Sequence, residues 1–290
     1  MSTSDALTTV ACLQFEPVVG AKQHNIALGL KHIESAAARG AQVIVLPELA
    51  NSGYMFATRA EAFAEAEPVP SGATCEAWIA AARRLGVTLV AGIAERDGES
   101  LYNAAVVIGP GGYIGTFRKL HLWNAENLFF EPGNLGSPVF KTPHGRIGVA
   151  ICYDIWFPEV FRLQALQGAD LVCVPTNWVP IPGQAPGRDA MATVLAMAAA
   201  HSNSLFVACA DRIGIERGQA FEGQSVIVGC SGWPVAGPAS RDAEEIVLAA
   251  VDLGEARRSR NWNAFNQVLR DRRTDVYDEM LGSKQAPGWY

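Results

Sequence analysis

Three side chains able to do chemistry follow directly on runs of apolar residues. They are Glu48 after VIVLP, Lys119 in TFRKLHLW and Cys152 in RIGVAICYDIWFPEVFR. Strand ends and the loops beyond them are where scaffolds place catalytic groups. Desolvation at a buried strand end disfavours the charged form of a carboxylate, raising the Glu48 pKa toward the range of a general base. A lysine held beside an active centre stabilises negative charge developing on an oxygen. Cys152 is delivered by an apolar strand, and Pro158 then opens a helix. That layout resembles a nucleophile elbow, with the sulfur at a tight turn near backbone N–H groups. A thiol becomes a good nucleophile only with a base or positive charge beside it. His121 and His144 are histidine partners by position alone. Taken singly, each group also has a plainer reading: a loop carboxylate, an exposed strand end at Arg118-Lys119, a buried structural thiol.

The elements that must position these groups alternate short apolar runs with helical stretches. Strands are expected at 8–15, 41–48, 87–95, 101–108 and 113–119. In the second half they follow at 145–152, 169–175, 204–211, 223–230 and 245–253. Helices are expected at 25–39, 73–85, 158–167 and 188–202, with Gly40 and Gly86 as stops. Near-continuous Val/Ile/Leu strands imply sheets covered on both faces. With hairpin-like pairs near 101–118 and 223–252, the pattern predicts an α/β fold, a four-layer α-β-β-α sandwich of two mixed sheets. A single doubly wound sheet is the alternative. No flexible linker interrupts the pattern, so residues 1–290 read as one domain.

Composition narrows the function. The chain has 290 residues, is 49% hydrophobic and carries a net charge of −6. It lacks the dense Lys/Arg run that nucleic acid or an anionic membrane would require. Arg257, Arg258, Arg260, Arg270, Arg272 and Arg273 are interleaved with Glu255, Asp271 and Asp275, which reads as a solvated or subunit-facing helix. The N-terminus shows no signal-peptide pattern and no apolar run is long enough to span a bilayer, so a cytoplasmic location is expected. Six scattered cysteines without CxxC spacing argue against a metal cluster and fit a reducing compartment. No GxGxxG follows the first strand, so dinucleotide binding has no support.

Taken together, Glu48 in VLPE, Lys119 in FRKLHL and Cys152 in ICYDIWFPE resemble, in that order, the nitrilase superfamily of carbon–nitrogen hydrolases. The resemblance runs from ACLQFEPVVG through PTNW, ADRIG and FEGQS to DRRTDVYD. It implies the α-β-β-α sandwich, pairing of subunits into a homodimer or higher homo-oligomer, and a reaction without metal or organic cofactor. It also implies roles. Glu48 takes the thiol proton and later activates water; Cys152 forms a thioester; Lys119 and the Tyr153 backbone N–H hold the oxyanion. Glu126, seven residues beyond the lysine, matches a second glutamate that orients substrate or Lys119. Residues from about 255 to 290 form a C-terminal extension expected at a subunit interface. Glu159, in FPE, is expected to pair or cap at its helix start.

Departures from the family pattern bear on the substrate. The branch that hydrolyses N-carbamoyl amino acids carries an arginine carboxylate clamp near the nucleophile turn. Here Ile155-Trp156 stands there, whereas Tyr153-Asp154 is the pair amidase-like members often have. Tyr54, Trp123, Tyr153, Trp156, Asn177 and Trp178 are the expected substrate contacts, and the aromatics favour a small-molecule amide with an apolar or flat body. A nitrile or an N-carbamoyl amine would pass through the same thioester chemistry. A non-catalytic interaction protein would show decay at one of the three reactive positions, and none is lost.

Overall fold

The computed structural model describes residues 7–184 and 187–277. Its frame is two six-stranded mixed sheets. The first is built from β1 (Thr8–Gln14), β2 (Val43–Val45), β3 (Thr88–Asp97), β4 (Ser100–Gly109) and β5 (Gly112–Arg118). The second holds β6 (Val139–Thr142), β7 (Gly145–Val149), β8 (Leu171–Pro175) and β9 (Phe206–Ala210). A two-residue hairpin, β10 (Ile215–Glu216) with β11 (Gln219–Ala220), stands apart. Then β12 (Val226–Val228) and β13 (Pro234–Ala236) extend the second sheet, while β14 (Glu245–Val251) returns to the first. The spatial orders are β14-β1-β2-β3-β4-β5 and β13-β12-β9-β8-β7-β6. In each sheet three central strands run parallel, β1-β2-β3 and β7-β8-β9, with antiparallel strands outside them.

Strand alternation explains the layers. Val43 and Val45 pack with Val149 and Cys173 in the core between the sheets. Ile44, on the opposite face of the same strand, packs with Ile33 and Trp78 of α1 (Lys22–Ala38) and α3 (Ala73–Leu85). The short helix α2 (Arg59–Glu65) lies between them in sequence. On the far side, α4 (Pro158–Leu166) and α5 (Met191–Asn203) contribute Val160, Phe161, Ala196 and Ala200. The α-β-β-α sandwich expected from the sequence is the observed architecture. One pairing differs: 223–252 is no hairpin, because β12 joins β9 whereas β14 crosses to β1 in the other sheet. Apolar pattern fixes that both strands are buried, not which edge each completes. The 41–48 strand also contracts to three residues, because the chain turns at Pro47 to bring Glu48 inward.

Parallel central strands place their carboxyl ends along one edge, where ligands bind in open α/β sheets. Glu48 follows β2, Cys152 follows β7 and Asn177 follows β8. β5, antiparallel to a strand that is itself antiparallel to β3, delivers Lys119 to the same edge. Gly92 of β3 passes directly beneath Glu48. A Cβ there would stand 2.4 Å from the Pro47 carbonyl oxygen and 2.5 Å from the Glu48 Cα. Gly92→Ala is therefore expected to displace Glu48. Overpacking costs about 1–3 kcal/mol, roughly 2–10 °C in Tm for a chain of this size. Activity should fall further than the loss of folded protein explains, as thermal melts and turnover on the same sample will show.

Candidate active site

A buried ammonium between two carboxylates forms the centre. Lys119 Nζ donates to Glu48 Oε1 at 2.6 Å and to Glu126 Oε1 at 2.7 Å, all three side chains being buried. Asn103, in the middle of β4, donates from Nδ2 to Glu48 Oε1 at 2.7 Å, and its carbonyl accepts the Lys119 backbone N–H at 2.8 Å. The loop crosses itself here: Gly133 N–H bonds the Lys119 carbonyl, and a Cβ on Gly133 would lie 2.1 Å from the Arg118 carbonyl oxygen. Arg118 is not an exposed strand end. It is buried in a two-point pair with Glu95 and lies 3.7 Å over the Tyr102 ring.

Electrostatics follows from this burial. Desolvation pushes the Glu48 carboxyl up to about 7; Lys119 opposes the shift and the Glu126 charge adds to it. Burial works against the Lys119 ammonium, but Glu126 and Glu48 outweigh it and hold its pKa above the ordinary lysine value. Lys119 is thus a fixed positive charge, while Glu48 is poised to gain or lose a proton near neutrality.

Cys152 opens a 3-10 turn, Cys152–Trp156, with φ of 45°. A non-glycine residue in that region costs roughly 1–3 kcal/mol and persists only where its surroundings hold it. Asp154 is the holder. Its Oδ2 accepts the Ile151 N–H at 2.9 Å, and its Oδ1 accepts the His121 N–H at 3.0 Å and lies 2.7 Å from His121 Nδ1. The His121 ring stacks on Phe157, 3.5 Å between centroids. One buried carboxylate therefore ties the strand before Cys152 to the loop after Lys119. Burial pushes the Cys152 thiol up and Glu48 adds to this, against Lys119, the Thr176 hydroxyl and the Asn177 N–H. The thiol is accordingly protonated at rest and needs a base.

Trp123, Tyr153, Trp156, Asn177 and Trp178 line one cleft with Cys152, joined by Val179 and Ile181. Asn177 also donates to the Glu48 carbonyl at 3.0 Å, and Asp211 accepts the Trp178 N–H at 2.9 Å. Tyr54 is placed differently. It lines an adjoining pocket that shares Trp123 and Val179, and its hydroxyl donates to Glu126 Oε1 at 2.6 Å. Glu126 joins the centre, whereas Glu159 lies in the first turn of α4. His144 is at the start of β7, 3.0 Å from the Thr88 hydroxyl, at the opposite end of the strands. No group of three or more His, Cys, Asp or Glu among the described residues is arranged to hold a metal ion. Sequence reasoning missed Asn103 and the latch made by Asp154 and His121. A lone amide inside the apolar run LYNAAVVIG was a legible signal for the first.

Residues 9–261 match the model of the carbon–nitrogen hydrolase family. The chain is 41% identical to a protein named nitrilase from Pyrococcus abyssi, over 93% of this chain and 99% of that one. It is 35% identical to an N-carbamoylputrescine amidase from Solanum lycopersicum, over 97% of both. Among solved structures it resembles an amidase mutant from a Nesterenkonia species carrying acrylamide added at its active-site cysteine. There the TM-score is 0.76 at 25% identity, covering 94% of this chain and 99% of the other.

Asp154→Ala leaves the buried Ile151 N–H and the half-buried His121 N–H without their acceptor, which costs about 1–3 kcal/mol for the buried donor. The expected result is a Tm several degrees lower, with turnover reduced at least tenfold in the protein that remains folded. Wild-type turnover at 25 °C would show that the Cys152 turn holds itself.

Proposed function

The chain belongs to the carbon–nitrogen hydrolase family, enzymes acting on non-peptide C–N bonds, and we propose that this member is a cysteine-dependent amidase for neutral, apolar carboxamides. The observation that carries the chemistry is the Glu48–Lys119–Glu126 ion cluster beside a protonated Cys152. Glu48, with its pKa near 7, takes the thiol proton as sulfur attacks the amide carbon. Charge developing on the carbonyl oxygen faces the Lys119 ammonium and the Tyr153 backbone N–H. Protonated Glu48 then gives its proton to the departing nitrogen, the C–N bond breaks, and ammonia leaves a thioester on Cys152. Water, deprotonated by Glu48, attacks the thioester; the acid departs and the proton returns to sulfur. The scheme calls for no metal or organic cofactor.

The cleft at Cys152 supports the choice of substrate. Among the described residues its lining is aromatic, aliphatic and amide, with no charged side chain. An amino-acid carboxylate has no arginine clamp there. A cationic carbamoylamine has no free acid, since Glu126 is engaged by Lys119 and Tyr54. Nitriles would enter the same cycle, but Tyr153-Asp154 and the acrylamide held by the Nesterenkonia amidase favour the amide.

We also read the chain as one unit that works as a homo-oligomer in the cytoplasm. Pairing through α4, α5 and the segment from 255 would cover Leu163, Leu166, Val194, Trp262 and Phe265, all exposed. The six unpaired thiols fit a reducing compartment. No helix among the described residues is long and apolar enough to cross a membrane. The part of the C-terminal extension from 278 to 290 lies outside the described residues.

Ammonia release from a panel of amides, their nitriles, N-carbamoyl amines and N-carbamoyl amino acids tests the reading. Aromatic or branched amides should exceed small hydrophilic ones at least tenfold in kcat/KM, and Cys152→Ala should reduce every rate by more than about 10³-fold. Preference for a charged N-carbamoyl substrate would overturn the substrate claim. The pH profile checks the base. The carboxylate form of Glu48 is the active one, so kcat/KM should fall as pH drops through about 7, an apparent value belonging to the coupled cluster. A profile flat down to pH 5 would remove Glu48 from that role.

A further inference from the structure

Glu216 lies outside the reacting groups, yet it is a buried carboxylate with both oxygens hydrogen-bonded. Its Oε1 accepts the Val19 N–H at 2.9 Å; its Oε2 accepts the Tyr54 N–H at 2.8 Å and the Met55 N–H at 2.7 Å. Arg212 Nη1, itself buried, stands 3.1 Å from the same Oε2. Arg212 is fixed in turn by the Pro17 carbonyl at 2.8 Å and lies 4.1 Å over the Phe221 ring, whose edge meets Tyr54 at 5.9 Å. The fit is close. Gly53 has φ of 77°, and a Cβ there would come within 2.8 Å of Glu216 Oε1 and 2.4 Å of the Val19 backbone.

We infer that Glu216 is a positioning residue for the reaction: by fixing the backbone at Tyr54 it aims the Tyr54 hydroxyl at Glu126, and so sets how Glu126 holds Lys119. The relay is continuous on distances alone. Glu216 holds the Tyr54 amide at 2.8 Å, the Tyr54 hydroxyl reaches Glu126 Oε1 at 2.6 Å, and that oxygen accepts Lys119 Nζ at 2.7 Å. Tyr54 burial pushes its phenol well above the ordinary value, with the carboxylates adding to this, so it remains a proton donor to Glu126. Tyr54 serves the cluster through its hydroxyl and lines the adjoining pocket with its ring. The inference rests on the amidase reading of the Glu48–Lys119–Cys152 centre and adds a residue from the separate β10-β11 hairpin to it. A displacement of about 1 Å at such a centre lowers rate by about 10²-fold.

A double-mutant cycle on ammonia release from one amide tests the relay. Glu216→Gln and Tyr54→Phe should each lower kcat about 10- to 100-fold with KM within about threefold. The double variant should be no slower than the slower single one. Glu61→Gln removes the half-buried partner of Arg217, the residue after Glu216, and should leave kcat unchanged. If Glu216→Gln yields no folded protein, Glu216→Asp keeps the charge for Arg212 while retracting from the Tyr54 and Met55 amides, and enters the same cycle. Losses that multiply in the double variant, a wild-type kcat in any folded Glu216 variant, or a Tyr54→Phe enzyme with wild-type kcat would each overturn the relay. Those outcomes leave the nucleophile untouched, whereas turnover surviving in Cys152→Ala would remove the underlying reading and not the cycle.

Discussion

The structure turns on one buried ammonium held between two carboxylates. Lys119 touches Glu48 and Glu126 at 2.6 and 2.7 Å, with all three side chains buried. Taking such charges out of water costs several kcal/mol per ion, and only close pairing with additional hydrogen bonds offsets it. The extra bonds come from Asn103 and Tyr54. Burial of the Glu48 carboxylate, reinforced by the Glu126 charge and opposed by Lys119, is why it sits near neutrality and not near its usual value. The tension that makes the cluster costly is what equips Glu48 to move a proton.

Much of the surrounding architecture serves that cluster. Two glycines, Gly92 and Gly133, let backbones approach closer than any side chain would allow, one beneath Glu48 and one across Lys119. Asp154 then sets the sulfur against the cluster by bonding both the Cys152 turn and the Lys119 loop. Because those two loops grow from different sheets, the packing between the sheets becomes part of the geometry of the site. The inter-sheet core of Val45, Val149 and Cys173 is thus as close to the chemistry as the loops are.

The sequence showed the reactive groups and the layers because both have local signatures. Glu48, Lys119 and Cys152 each end a recognisable apolar run, and strand alternation marks which residues must be covered. What it hid was pairing at a distance. β12 and β14 read as neighbours because they are close in sequence, and nothing local says that β14 returns to β1. Glu216 stands 162 residues from the Tyr54 amide it holds and looks like an ordinary hairpin acid. Asp154 had a meaning as part of a family pair, yet its mechanical role appears only when His121 is brought beside it. Arg118 was open to an exposed reading because its partner Glu95 lies on β3, two strands away.

The claim on which the account stands is a covalent acyl intermediate on Cys152. Wild-type protein quenched in acid during turnover of a slow aromatic amide, then weighed intact and mapped by peptide mass spectrometry, examines it directly. The account predicts a mass gain equal to the acyl group, confined to the peptide carrying Cys152 and absent when only the product acid is added. Steady turnover with no adduct, or an adduct on any of the other five cysteines, would contradict it.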